Sequence, residues 1–121
     1  MNQIHLDAAV ESLYIGSEQV EVDTINHLWN KYIDASDKVA VKIDAQGFEG
    51  EVLKGASNYL KQISLLQIEL SFITLYEGQD LIEDMLKHLS SLGFTLIDLV
   101  PGFRHPKNGD LLQCDGIFAR K

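Results

Sequence analysis

Apolar and polar residues alternate along the chain in short runs that predict four β-strands. Val39 to Asp44 is rich in β-branched residues and predicts a buried strand. Leu65 to Phe72 predicts a second strand, Phe94 to Val100 a third and Leu111 to Ala119 a fourth. The loop at 101–110 contains proline, glycine and an Asn-Gly pair, which turn the chain back. We therefore expect the fourth strand to run antiparallel to the third.

Between these strands the apolar residues recur at helical spacing. One predicted helix covers residues 25–33 and takes Asp23 or Thr24 as its N-cap. A longer helix is predicted from Phe48 to Ile63. The order of strands and helices is that of an α/β fold, and right-handed crossovers place the first three strands parallel in one sheet.

Capping and stop signals predict the remaining elements. Asp80, with Glu83 three residues later, is typical of a capping box that opens a third helix, and Gly93 ends that helix. Near the N-terminus we expect a short helix around Ala8 to Ile15 and a short strand at Val20 to Val22.

Composition and charge exclude several classes of partner. Eighteen acidic and ten basic side chains leave a net charge of -8. Nucleic acid and anionic membranes both bind clustered Lys and Arg, so neither is expected as a partner. The sequence has no apolar run of the roughly 20 residues that span a membrane, and it does not begin like a secretory signal. The single cysteine, Cys114, suits a reducing compartment, so we predict a cytoplasmic protein.

Polar residues occupy one face of the first two predicted strands. Because side chains alternate along a strand, Lys42 and Asp44 share a face on the first, and Gln67, Glu69 and Ser71 share one on the second. A parallel sheet covered on both faces should instead be almost continuously apolar. We expect Lys42 and Glu69 on the same face of neighbouring strands, close enough to interact. This face is either exposed, or holds one structural ion pair, or carries a functional site.

The turn after the first strand is a candidate ligand site. Asp44, Gln46 and Glu49 lie at the carboxyl end of a strand, where open α/β sheets bind ligands. A helix N-terminus offers free backbone N–H groups, and Gly47 would let a ligand approach closely. Glu49 is equally explained by its favourable position in the helix dipole.

Two candidates for substrate contact lie farther along the chain. Tyr76 follows the second strand and either lines a pocket or closes one. Arg104 lies in the 101–110 loop and belongs either to a basic patch for a substrate or to a solvated loop. The four histidines lack the spacing of metal ligands, and Cys114 has no partner for a zinc motif, so no metal site is predicted.

A set of short sequence motifs begins at the end of the first strand and continues along the chain. Val41 to Glu49 reads VKIDAQGFE, and later words follow at consistent spacing in Glu51 to Ala56, Leu66 to Glu69, Leu75 to Tyr76, Leu92 to Phe94 and Asp115 to Phe118. These motifs resemble those of the FkbM family of S-adenosylmethionine-dependent methyltransferases, whose signature is Lys-Ile-Asp-x-x-Gly-x-Glu. The resemblance covers residues 20–121, as the C-terminal half of that domain, and leaves 1–19 as an N-terminal segment of uncertain structure. One departure is Asn26, where the family usually carries aspartate.

The resemblance implies a partial Rossmann-like methyltransferase sheet and an O-methyltransferase acting on a hydroxyl of a small metabolite or sugar. By resemblance, Asp44 helps to form the cofactor and acceptor site, and Glu49 or Glu69 orients the acceptor or takes its proton. The family's glycine-rich cofactor-binding half has no counterpart in residues 1–19, so we expect this chain alone to bind S-adenosylmethionine weakly or not at all. The alternative is a non-catalytic α/β remnant that serves as a binding or oligomerisation module.

The first strand is also predicted to be an open sheet edge. In the complete family it lies beside a strand of the missing half. Its backbone groups are then free to pair with another chain, and we expect a homodimer along this edge unless residues 1–22 cover it.

Overall fold

A computed structural model describes residues 15–121. Within them, in chain order, lie α1 (Ile25–Tyr32), β1 (Val39–Ile43), α2 (Glu49–Gly55), a 3-10 turn (Leu60–Gln62), β2 (Ile63–Ser71), α3 (Ile82–Ser91), β3 (Phe94–Pro101) and β4 (Gln113–Arg120). The α/β order predicted from the sequence is confirmed. None of the helices in this part of the chain is long and apolar enough to cross a membrane.

The strands form one four-stranded mixed sheet in the order β1-β2-β4-β3. β1 and β2 pair in parallel, whereas β4 is antiparallel to both β2 and β3. β1, β2 and β3 therefore run in the same direction, and β3 with β4 forms the predicted antiparallel hairpin. Because β1, β2 and β3 run in the same direction, their carboxyl ends lie at the same end of the sheet.

The hydrophobic core lies on one face of this sheet. Leu66, Ile68 and Leu70 project from β2 to that face, and Phe118 of β4 lies opposite Leu66; each is at most 1% exposed. The helices add buried side chains to the same cluster, among them Trp29, Leu53, Met85 and Leu89. Burying each large apolar side chain stabilises the fold by roughly 1.5–3 kcal/mol before entropy is counted.

On β1 and β2 the opposite face carries the polar side chains that the alternation predicted. Lys42 of β1 lies beside Gln67 of β2, so Lys42 and Glu69 do share a face. They do not form a direct ion pair, because each has another partner. The Nζ of Lys42 lies 3.5 Å from Asp44, and Glu69 accepts a hydrogen bond from Gln113.

Helix termini confirm some of the predicted signals. Thr24 is the N-cap of α1, and its hydroxyl accepts the N–H of His27 at 3.1 Å. Gly93 follows α3 with a φ of 84°, which favours glycine after a helix. The predicted capping by Asp80 is wrong, because Leu81 is the N-cap of α3 and makes no side-chain cap bond. The Asp80 carboxylate instead lies against Gly50, where it would be 2.7 Å from an added Cβ.

Two other predicted elements differ from the structure. The helix predicted to reach Ile63 ends at Gly55, because Ile63 already pairs with Val39 as the first residue of β2. The strand predicted at Val20 to Val22 is absent, and the side chains of Val20 and Val22 are exposed. Alternation alone does not make a strand when no neighbouring strand pairs with it. Apart from Ile15, which is exposed and not helical, the predicted helix around Ala8 to Ile15 lies outside the described residues.

Candidate functional site

The turn between β1 and α2 is held by a buried carboxylate. Gln46 and Gly47 have φ angles of 50° and 104°, so the chain reverses direction there. Glu49 is only 4% exposed, and its carboxylate accepts the N–H groups of Ala45 and Gly47, each at 3.0 Å. Two backbone donors that would otherwise lack partners are thereby satisfied. This geometry favours a positioning role for Glu49.

Gly47 is required by packing as well as by its backbone angle. A Cβ at this position would lie 2.8 Å from the Cβ of Tyr76, a distance that real contacts do not reach. The sequence suggested that Gly47 leaves room for a ligand, but Tyr76 occupies that side of the turn. Tyr76 thus packs against the turn at Gly47, and whether it lines or closes a pocket stays a prediction.

Asp44 and Glu69 supply the titratable chemistry of the site. Asp44 follows β1 directly, and its side chain is 49% exposed. Glu69 is half-buried in β2, and its pKa is raised to about 7. The main cause is loss of hydration, and the charges of Asp44, Glu49 and Asp115 raise the pKa further, against a hydrogen bond from Gln113 that lowers it. The turn and the polar face of the sheet therefore form one electrostatic unit.

Amide side chains connect β2 to β4 on this polar face. Gln67 donates to the carboxylate of Asp115 at 2.6 Å. The side-chain amide of Gln113 donates to Glu69 at 2.7 Å and to the hydroxyl of Ser71 at 3.1 Å. These bonds fix the orientation of the Glu69 carboxylate.

Gln79 extends the same network to the segment after β2. Its amide donates to the Ser71 hydroxyl at 2.6 Å, and its carbonyl oxygen accepts the N–H groups of Leu75 and Tyr76. The position of Tyr76 over the turn is thus tied to β2.

Three residues of this network were predicted neither as site residues nor as members of the polar face: Gln79, Gln113 and Asp115. Gln113 and Asp115 alternate along the last strand in phase with Glu69 and Ser71, which lie opposite them. That phase was visible in the sequence, but the placement of β4 beside β2 was not. Gln79 lies in an irregular segment and gave no periodic signal.

Arg104 stands apart from the other predicted site residues. It lies in the loop after β3, at the edge of the sheet opposite β1, and its guanidinium donates to the carbonyl of Gly109 at 2.9 Å. The side chain is thus held within its own loop. The structure brings together Asp44, Gly47, Glu49, Glu69 and Tyr76; Gln46 is exposed on the same turn.

The negative charges of the site favour binding of a cation, and the Glu69 carboxyl can accept a proton. Asp44, Glu69 and Asp115 place negative charge at one end of the polar face, and a carboxyl that titrates near pH 7 suits general base chemistry. Within residues 15–121 no group of three or more His, Cys, Asp or Glu side chains is arranged to hold a metal ion.

Comparison with known families gives this site its context. The family model of the methyltransferase FkbM domain matches residues 2–96 of the chain. The chain belongs to the FkbM methyltransferase family. The match begins within the segment 1–19 and ends in β3, so the domain boundary drawn from the sequence at residue 20 stays a prediction. No curated protein and no solved structure gave a significant match.

Family membership makes this a methyltransferase domain, and most of the site lies in the matched region. The matched region contains Asp44, Glu49, Glu69 and Tyr76 of the FkbM domain. It ends before Gln113 and Asp115. The amide that orients Glu69 therefore comes from outside the matched segment.

Proposed function

We propose that this FkbM domain transfers a methyl group from S-adenosylmethionine to a hydroxyl of a small metabolite or sugar. The observation that supports this best is Glu69, a half-buried carboxyl at the ligand end of β2 whose pKa is raised to about 7. A hydroxyl oxygen that gains a methyl group must lose its proton, and an acceptor that titrates near neutral pH suits that step. The proposed fold is the later part of a Rossmann-like sheet.

The residues present suit the cationic parts of the cofactor. When bound, S-adenosylmethionine supplies an electrophilic methyl group on a positively charged sulfur. Asp44 is exposed beside the half-buried Glu69, so this side of the sheet attracts a cation. The Gly47 N–H is already bonded to Glu49, which leaves Asp44 and Gln46 as the accessible polar groups of the turn. The described residues contain no glycine-rich turn directly after a strand, so we propose that this chain alone binds the cofactor weakly.

Each residue of the site then has a separate task. Glu49 holds the turn, so that Asp44 keeps its place at the end of β1. Gln113 orients Glu69, and the ionised Glu69 carboxylate would take the proton that the acceptor hydroxyl loses when it is methylated. Tyr76 packs against the turn at Gly47.

Transfer of a labelled methyl group tests this assignment. The full chain is incubated with labelled S-adenosylmethionine, at a concentration well above micromolar, and a panel of sugars and other hydroxylated metabolites. We expect transfer whose rate rises with pH through about 7, because Glu69 must be ionised. Glu69→Gln should abolish the rise and lower the rate by roughly 10²–10⁴-fold. Glu77→Gln, at an exposed carboxylate beyond β2, is the matched control. A Glu69→Gln variant with the wild-type rate and pH profile would exclude Glu69 as the proton acceptor.

A second candidate is a non-catalytic binding or oligomerisation module. It is supported by the edge position of β1 and by the use of the Gly47 N–H within the protein itself. Calorimetric titration with S-adenosylmethionine separates the two candidates. Absence of heat up to millimolar cofactor, with no methyl transfer to any acceptor, would favour the module.

A further inference from the structure

β1 is an open edge of the described sheet. It pairs with β2 on one side, and no backbone hydrogen bond from residues 15–121 reaches Val39–Ile43 on the other. Natural edge strands are usually protected by proline, by charge or by a covering segment. This one carries no proline, and Lys42 is its one charged residue.

An apolar groove of about 330 Å³ runs beside this edge, between α1 and β1. Leu28 and Tyr32 line it from the helix, and Val39 and Val41 from the strand. Tyr32 is 67% exposed at the border of this groove. An added strand would satisfy the backbone of β1 and would also cover this groove.

We propose that the strand added here is β1 of a second copy, running antiparallel about a two-fold axis at Val41. Val41 then lies opposite itself, and Val39 lies opposite Ile43 of the other copy. On the other face, Ala40 lies opposite Lys42. At both ends of the pairing Lys38 lies opposite Asp44, so the dimer contains two pairs of opposite charge.

Alternative registers either set like charges opposite each other or place apolar side chains of one copy on the polar face of the other. Moving the axis to Ala40 sets Lys38 opposite Lys42, and moving it to Lys42 sets that lysine opposite itself. A shift that pairs odd with even residues mixes the apolar and polar faces. The side chains of Lys38 and Asp44 are exposed and therefore accessible. The contact between Lys42 and Asp44 is exposed and 3.5 Å long, so exchanging it for a pair across the dimer costs little.

This arrangement couples assembly to the candidate site. Asp44 follows β1 at the site, so Lys38 of the second copy would lie beside it. Each copy would thus contribute a positive charge to the other copy's acidic turn.

Two charge-reversal variants of the full chain test the pairing. In a Lys38→Glu dimer, a glutamate lies opposite Asp44 at each end of the pairing. In an Asp44→Lys dimer, a lysine lies opposite Lys38 at each end. Each variant alone should dimerise roughly tenfold more weakly than the wild type. An equimolar mixture should regain the wild-type affinity, because both pairs in the mixed dimer are again of opposite charge. Lys61→Glu makes the same charge change away from β1 and should leave dimerisation unchanged.

Sedimentation velocity at several concentrations gives the result. A concentration-dependent wild-type dimer, weakened in each variant and restored in the mixture, supports the proposal. A mixture no better than either variant overturns the register. A wild-type monomer at all concentrations overturns the dimer. Because the readout is mass, failure here is distinct from failure of the methyl-transfer proposal.

Discussion

The two faces of the sheet come from the same strands but differ in almost every physical property. On one face Leu66 and Ile68 are completely buried in a cluster completed by the helices. On the other face Gln67 and Glu69, their neighbours in sequence, form hydrogen bonds with β4. A single strand therefore serves stability with one set of side chains and candidate chemistry with the other.

The difference shows how a small domain can carry titratable groups without losing its fold. The apolar face gains free energy from each buried methylene, whereas the polar face must satisfy each half-buried donor and acceptor to avoid a penalty. The side-chain amide of Gln113 donates to both Glu69 and Ser71. Substitutions on the two faces should therefore differ in size and in pH dependence.

The largest expected effect is on the apolar face. Ile68→Ala removes a side chain that is 0% exposed and leaves a cavity beneath the sheet, so the free energy of unfolding should fall by about 2–5 kcal/mol. Leu65→Ala, on the polar face of the same strand and 38% exposed, is the control and should cost about 1 kcal/mol or less. Urea unfolding measures both. Equal losses would show that the two faces are not distinct.

A smaller effect is expected at the turn. Glu49→Ala leaves the N–H groups of Ala45 and Gly47 without their acceptor and should cost about 1–3 kcal/mol. Glu49→Gln keeps one acceptor oxygen and should cost less. Glu51→Ala, at an exposed glutamate in the same first turn of α2, is the matched control. Unfolding midpoints that are unchanged in Glu49→Ala would contradict the positioning role.

The third effect appears only when the pH is varied. The pKa of Glu69 is raised from 4.5 to about 7 in the folded protein, so between these values the folded state binds more protons than the unfolded state. Stability should therefore fall as the pH rises through this window, by about 1–2 kcal/mol after allowance for the half-exposed position of the group. Glu69→Gln should remove this loss. Urea midpoints at pH 5 and pH 8, with Glu77→Gln as the control, measure it; an unchanged pH dependence in Glu69→Gln would assign it to other groups.

The smallest effect is expected at Lys42. Its contact with Asp44 is exposed and 3.5 Å long, so Lys42→Ala should change the free energy of unfolding by about 1 kcal/mol or less. Lys54→Ala, which removes another exposed lysine paired with a carboxylate, should behave alike. A loss of several kcal/mol in Lys42→Ala alone would indicate a buried pair with Glu69 instead.

Elements with strong local signals were predicted correctly from the sequence. The four strands, the Thr24 cap and the stop at Gly93 depend on side-chain alternation and local backbone preferences. The prediction that Asp80 caps α3 failed because a capping box requires a particular entry of the chain into the helix, and here the Asp80 carboxylate packs against Gly50. The same limit applies to Val20 to Val22, which pair with no strand in the part of the chain from residue 15 onward.

The sequence by itself determined which side chains share a face, because alternation along a strand is a property of the backbone. It therefore placed Lys42 and Glu69 together and identified the turn from Asp44 to Glu49. Only the tertiary structure decided what each of these groups contacts. β4 lies between β2 and β3, which sets Gln113 and Asp115 opposite Ser71 and Glu69, and Tyr76 fills the space beside Gly47. These contacts join segments far apart in the chain, so no local pattern encodes them; burial and neighbouring charge, which raise the pKa of Glu69, arise only when those segments pack together.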